Sequence, residues 1–303
     1  MYDYLVLDRL SASAYKHLTY HWFHNRLNLL STQDLTTIAI GVSLQGQPVG
    51  LVLAEYLKDR CQANILSLFV APGHRQQGIG TALLIQIEKM LTASSCQQID
   101  FLYGLNLTTP VIERMLKQQN WTPASAYSLQ CLTNLETIEQ APLNRYTFPQ
   151  KFTIFPWSEL TDLEREKIER RENGLNYPNE LCPFRSGRIE APSSIGVRDR
   201  DEVIGWSIVE QLTPNCVSYS SLFIRPEYRS IGLGLHLLLA SVNRQIVDKS
   251  VTMVSFIVLQ ENTAMVKFMT RHLAPYLTTI NSYWKSSKLI QVTESSEIDY
   301  VSF

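Results

Sequence analysis

Two stretches of the chain carry the same unusual set of residues. Residues 67–84 read SLFVAPGHRQQGIGTALL, and residues 221–238 read SLFIRPEYRSIGLGLHLL. Each opens with an apolar run, Leu68-Phe69-Val70 or Leu222-Phe223-Ile224, that ends two residues before Pro72 or Pro226. Each continues as Arg-x-x-Gly-x-Gly. The first is Arg75-Gln76-Gln77-Gly78-Ile79-Gly80, followed by Thr81; the second is Arg229-Ser230-Ile231-Gly232-Leu233-Gly234. A strand, a short arginine loop and two glycines opening an amphipathic helix make a phosphate or pyrophosphate cradle. The helix start offers N–H groups without acceptors and a partial positive charge. Glycine lets an anion approach the backbone closely. Two other phosphate motifs are excluded by spacing: Ile79 stands where a Walker loop needs Lys, and Leu83 stands where G-x-G-x-x-G needs its third glycine.

The doubling is itself a finding. At an offset of 154, nine of the eighteen positions are identical, where chance gives roughly one. Upstream, PVGLVLAEYL (48–57) matches VIGWSIVEQL (203–212), pairing Gly50 with Gly205 and Glu55 with Glu210. The chain therefore holds two copies of one unit, fewer than a solenoid needs. A proline-marked stretch, 121–150, separates them, and the expected domains are 1–145 and 146–303.

The elements that must position the cradles follow from pattern. Residues 15–30 have helical spacing, and 158–172 read as a charged helix with Ser158 as N-cap and a Thr161/Glu164 pair. A hairpin spans 37–44 and 48–57. Strand 64–71, helix 78–93, strand 99–104, helix 109–119 and a strand-like run, 127–132, complete the first copy. The second copy gives strands 203–212 and 217–225, helix 232–248, strand 251–259, helix 262–272 and strand 277–286. Each copy is a mixed α/β unit, so the fold class is α/β with a mixed sheet.

Composition narrows the function classes. The 303 residues carry 27 Lys+Arg against 28 Asp+Glu, which argues against a broad nucleic-acid or anionic-membrane surface. No apolar run reaches the roughly 18 residues of a membrane span, and the N-terminus does not read as a secretory signal. Five widely spaced Cys without a CxxC fit a reducing cytoplasm and neither a disulfide framework nor a zinc site.

An Arg-x-x-Gly-x-Gly after a strand ending in Val-x-Pro resembles motif A of the GNAT acyltransferases, and the doubled pattern resembles a tandem GNAT protein. The resemblance implies an acyl-CoA co-substrate, with acetyl-CoA expected, and no metal. It implies that the backbone of Arg75–Gly80 with Thr81, and of Arg229–Gly234, holds the CoA pyrophosphate. The strand backbones of Leu68, Phe69 and Val70, or of Leu222, Phe223 and Ile224, would take the pantetheine arm as an added strand. Asn262-Thr263-Ala264-Met265-Val266-Lys267-Phe268 resembles motif B loosely, with Met269 where a Tyr general acid is usual. The first-half helix from Thr109 lacks both that Asn and that Tyr.

Acyl transfer to an amine needs a base for the ammonium proton and a donor for the carbonyl oxygen. The strand Glu common in the family is replaced by Asn64 and Ser218. The acids with repeat support are Glu55 and Glu210, as base or as ammonium anchor; the bland alternative is a solvated strand end. His17, His21 and His24 would share one helix face, a polar face rather than a metal site. The long loop 173–196, with Tyr177, Cys182, Phe184 and Arg185, is expected to shape the acceptor side or to pack as a linker. The expected function is a cytoplasmic N-acyltransferase acting on a small-molecule or peptide amine, as a monomer or homodimer, with the second half catalytic. The alternatives are a non-catalytic acyl-CoA-binding or interaction protein, and purely structural tandem packing.

Overall fold

The computed structural model describes residues 1–28, 30, 36–140, 148–184, 189, 192–247 and 250–290. In chain order the strands are β1 (Tyr2–Val6), β2 (Thr37–Leu44), β3 (Gln47–Leu57), β4 (Gln62–Val70), β5 (Gln98–Gly104), β6 (Ser125–Asn134), β7 (Thr153–Pro156), β8 (Ile195–Asp199), β9 (Glu202–Thr213), β10 (Cys216–Ile224), β11 (Met253–Leu259) and β12 (Thr279–Leu289). The α-helices are α1 (His24–Asn28), α2 (Ile79–Ala93), α3 (Thr109–Gln118), α4 (Leu135–Glu139), α5 (Asp162–Glu169), α6 (Leu233–Val247) and α7 (Thr263–Phe268). The mixed α/β class read from pattern is the class observed.

The chain forms two compact units. One is Met1–Tyr127 with the described residues from Tyr283 onward; the other is Ser128–Ser282. Compared with a division at 145, two strand segments change sides. The C-terminal part of β12 (Tyr283–Leu289) pairs antiparallel with β5 in the first unit, and Ser128–Asn134 of β6 pairs antiparallel with β11 in the second. Residues 141–147, around the expected boundary, lie outside the described residues.

Within the first unit, β1 to β4 form an antiparallel ladder and β4 runs parallel to β5. Its core is two-sided. Leu83, Leu84 and Ile87 of α2 pack on Val52, Ile65 and Phe101, while Leu51 and Leu53 face Tyr15, Leu18 and Leu27 on the other side. That two-sided burial is why β3 reads as a continuous apolar run rather than an alternation. In the second unit β7 to β10 repeat the antiparallel ladder and β10 runs parallel to β11. There Leu233 and Leu237 of α6 cover Ile204 and Ile224, and Trp157, Tyr177, Trp206 and Phe223 form an aromatic core on the opposite face.

Local signals differ in two places. The charged helix starts at Asp162, with Thr161 rather than Ser158 as N-cap: Thr161 Oγ1 accepts the Glu164 N–H and the Glu164 carboxylate accepts the Thr161 N–H, the full capping box. Residues 15–30 are not one helix. Ser11–Leu18 and His21–Phe23 are 3₁₀ turns before α1, so His17, His21 and His24 do not line one helical face. The His24 imidazole is bonded to the Lys16 carbonyl at 2.9 Å.

The late strand of the first unit is held by two buried carboxylates. Asp100, 4% exposed, accepts from Gln62 and Gln98 at 2.8 Å and from Ser287 Oγ at 2.6 Å, with Lys285 Nζ at 3.5 Å. Glu88 accepts from Trp121 Nε1 at 2.6 Å and from Lys288 Nζ at 2.5 Å. Removing a buried carboxylate strands its donors. Asp100→Ala is expected to lower stability by about 3 kcal/mol, read from urea denaturation; a change below about 0.5 kcal/mol would deny Asp100 this role.

Candidate functional site

The decisive feature of each unit is a parallel pair that stops early. β4 pairs with β5 only over Gln62–Ile65, and β10 with β11 only over Cys216–Tyr219. The next residue, Leu66 or Ser220, is an extra residue against the antiparallel neighbour, since Leu53 and Ala54 face Ser67 and Ile65, and Ile208 and Val209 face Ser221 and Tyr219. Such a bulge bends a strand away from its partner. Leu68-Phe69-Val70 and Leu222-Phe223-Ile224 thus keep their antiparallel neighbours but lack a parallel one. One edge of each carries open main-chain groups.

The arginines tie the loop to these strand ends. Arg75 Nε donates to the Val70 carbonyl at 2.9 Å, and Arg229 Nε donates to the Ile224 carbonyl at 2.8 Å. Each guanidinium also lies near a strand aromatic, Phe69 at 5.7 Å and Phe223 at 5.8 Å. Their first task is therefore to place the cradle. Ile79 and Leu233 are buried, so only their backbone faces the helix mouth.

The two cradles are not equally open. In the first unit Gln76 and Gly78 take positive φ (59° and 79°), and the N–H groups of Gln76, Gln77, Gly78, Ile79, Gly80 and Thr81 find no acceptor among the described residues. Six such donors at the start of a fifteen-residue helix make an anion nest. In the second unit Pro226–Ile231 wind into a 3₁₀ helix and the Gly232 N–H donates to the Arg229 carbonyl at 3.2 Å. The Leu233 and Gly234 N–H groups are left without an acceptor there, among the described residues.

The glycines test whether these residues fit an anionic ligand. A Cβ on Gly80 would meet nothing closer than Met115 Sδ at 3.7 Å, and one on Gly234 nothing closer than Ile224 Cγ1 at 3.6 Å. The fold does not require glycine at either place. A Cβ at either would occupy space at the helix mouth that an approaching anion would otherwise have. Gly205 is the opposite case, with the Phe223 carbonyl oxygen and Ile224 Cδ1 each 2.5 Å from its would-be Cβ.

In the second unit the opened strands border a cavity of about 830 Å³. Leu235 and Leu239 of α6 wall it on one face of the sheet. Pro178, Glu180 and Leu181 of the 173–196 loop join from the other, where the Leu181 carbonyl accepts from Ser221 Oγ at 2.7 Å and Trp206 Nε1 at 3.1 Å. The cavity thus passes through the gap between β10 and β11. Among the described residues its charged lining residues are Glu180, Arg229 and Glu261.

The remaining candidates can now be placed. Glu55 is ion-paired with Arg26 at 2.9 Å. Glu210 lies on β9 opposite Ser218 and is not in the cavity wall. Asn262 is in the wall, but its Oδ1 caps α7 by accepting the Met265 N–H at 3.1 Å. Met269 is buried, and the phenols in the wall are Tyr219 and Tyr276. The first half does set an Asn before its helix: Asn106 Oδ1 accepts the Thr108 N–H at 2.7 Å. Motif spacing missed it because Asn106 stands three residues before its helix, whereas Asn262 is the residue immediately before its own. Cys182 packs on the aromatic core, and burial pushes the Cys131 thiol up to about 11. Arg185 lies outside the described residues. Among the described residues no three His, Cys, Asp or Glu converge on a metal position, and no helix is long and apolar enough to cross a membrane.

Comparison with known proteins bears on the family and the fold. The model of the acetyltransferase (GNAT) family matches residues 4–113 and 154–274. A tandem GNAT protein from the clavulanic acid biosynthesis pathway superposes with a TM-score of 0.73 at 15% identity, covering 95% of this chain and 98% of that one. A GCN5-related N-acetyltransferase from Sphaerobacter thermophilus gives 0.68 at 18% identity, covering 96% of each chain. These two likenesses bear on fold. No curated protein matches by sequence.

Gly80→Ala and Gly234→Ala are expected to leave thermal stability unchanged or raised by up to about 1 kcal/mol, from helix propensity. Gly205→Ala is expected to cost about 2 kcal/mol or more through overpacking. Thermal denaturation of the three variants checks both.

Proposed function

The chain belongs to the acetyltransferase (GNAT) family, and from that premise we propose that it is an acyl-CoA-dependent N-acyltransferase acting on a primary amine of a small molecule or peptide, with the second unit catalytic. One observation carries the reading: the cavity at the second cradle opens on both faces of the sheet, so donor and acceptor can meet in the gap between β10 and β11. Acyl-CoA, as substrate, supplies an activated thioester. The Leu233 and Gly234 N–H groups and the α6 N-terminus favour its pyrophosphate. The open edge of Leu222, Phe223 and Ile224 suits an amide-bearing arm.

The chemistry left to side chains is modest. The attacking amine must lose a proton, the new C–N bond forms as the C–S bond breaks, and the leaving thiolate takes a proton. Glu180 and Glu261 are the carboxylates in the wall that can anchor an ammonium or take its proton, and they replace Glu210 and Glu55 in this reading. N–H groups on the strand edge after Tyr219 are suited to polarise the carbonyl. Tyr276 is a phenol that can protonate the thiolate. The first unit's six-donor nest supports a second CoA-binding site rather than a second turnover site. A cytoplasmic location remains part of the reading, from the five free cysteines.

A second reading has its own support. With Asn262 spent on capping, Met269 in place of Tyr and two free cradle donors, the second unit also suits a non-catalytic acyl-CoA-binding protein.

Titration with acetyl-CoA and turnover on an amine panel separate the readings. Gly234→Trp is expected to abolish turnover and one binding site. Gly80→Trp is expected to remove a site and leave much of the turnover. The reverse pattern would move catalysis to the first unit, and binding without turnover would favour the second reading. Glu180→Gln or Glu261→Gln should lower kcat/KM by about 100-fold, while Glu210→Gln should change it little.

A further inference from the structure

The cavity of the second unit does not end where the strands part. The last parallel pair is Tyr219 with Phe256, and the opening begins beyond it. Yet Tyr219 and Val254, which belong to the paired part of the strands, also line the cavity. So do Leu238 and Val242, farther along α6, and Ile138 of α4. From Leu235 at the cradle end to Val242 the helix advances about 10 Å at ~1.5 Å per residue. The cavity therefore has an arm that runs behind the junction, under the paired strands, between β10, β11 and α6.

The chemistry of that arm is uniform. Among the described residues its lining is aliphatic except for the Tyr219 ring and the Thr133 hydroxyl, which donates to the Tyr276 carbonyl at 2.5 Å, and the charged residues of the cavity, Glu180, Arg229 and Glu261, lie on other elements. An amine acceptor is protonated in water and needs a carboxylate or a full set of hydrogen-bond partners when buried. Among the described residues nothing charged lines the arm to provide that. An acetyl group is too short to occupy it, and about 830 Å³ is at the upper end of what a drug-sized ligand fills. What fits is a neutral, flexible, apolar chain continuous with a thioester placed at the gap.

We propose that the second unit takes acyl-CoA with a medium-length or longer apolar acyl chain, seated against Ile138, Tyr219, Leu238, Val242 and Val254. This deepens the acyl-CoA reading above and rests on it. Each methylene removed from water adds about fourfold to affinity, so even partial seating separates chain lengths widely.

The test is calorimetric titration of the full chain with acetyl-CoA, octanoyl-CoA and CoA itself. The expected result is one site at which octanoyl-CoA binds about 100-fold tighter than acetyl-CoA. Val242→Trp should remove that advantage while acetyl-CoA binding persists. Leu238→Phe, a milder filling of the same arm, should reduce the advantage at least tenfold and serves if the Trp variant does not fold. Equal or weaker binding of octanoyl-CoA would overturn the proposal and leave the acyl-CoA reading standing. An octanoyl preference unaffected by both variants would also overturn it, because the chain would then lie elsewhere. No binding of any of the three would instead overturn the acyl-CoA reading itself.

Discussion

The rest of this protein depends on a parallel strand pairing that breaks off after four residues. In each unit the motif strand begins beside its parallel neighbour, takes in one extra residue, and leaves that neighbour. The break falls at the same place in both copies, after Ile65 and after Tyr219. An unpaired strand edge inside a sheet is costly unless something else bonds it. The arginine loop closes the far end by bonding the last strand carbonyl, and the remaining edge is open to a ligand that can hydrogen-bond like a strand.

The glycine turns and helix starts are arranged around that opening. α2 and α6 start where the opened strands end, so their unpaired N–H groups face the same space. Glycines keep the helix mouths clear, and the two positive-φ glycines, Gly78 and Gly232, turn the chain from loop into helix. The copies have diverged on this common plan. The first keeps a loop with six free donors. The second spends most of its loop donors in a 3₁₀ turn and has a large apolar cavity reaching both faces of the sheet.

The strands that complete the units show a second use of charge. Asp100 and Glu88 are buried with their donors supplied in part by Ser287, Lys285 and Lys288, far along the chain. A buried carboxylate without partners is strongly unfavourable, so these residues specify which strand fills the place beside β5. The first unit is thereby finished only by the last residues of the second half of the chain.

Much of this was legible in the sequence. The repeat at offset 154, the strands and helices around each motif, and the Arg-x-x-Gly-x-Gly turns followed from local pattern, because apolar periodicity and glycine spacing act over a few residues, while the short strands Tyr2–Val6, Thr153–Pro156 and Ile195–Asp199 did not. Tertiary structure alone decided the rest. Glu55 looked available until Arg26 was placed beside it, and Glu180 and Glu261 had no motif to announce them. The exchange of final strands, the break in parallel pairing and the apolar arm behind it involve residues tens to hundreds of positions apart. Their energetics lie in pairing and burial, which no local spacing records.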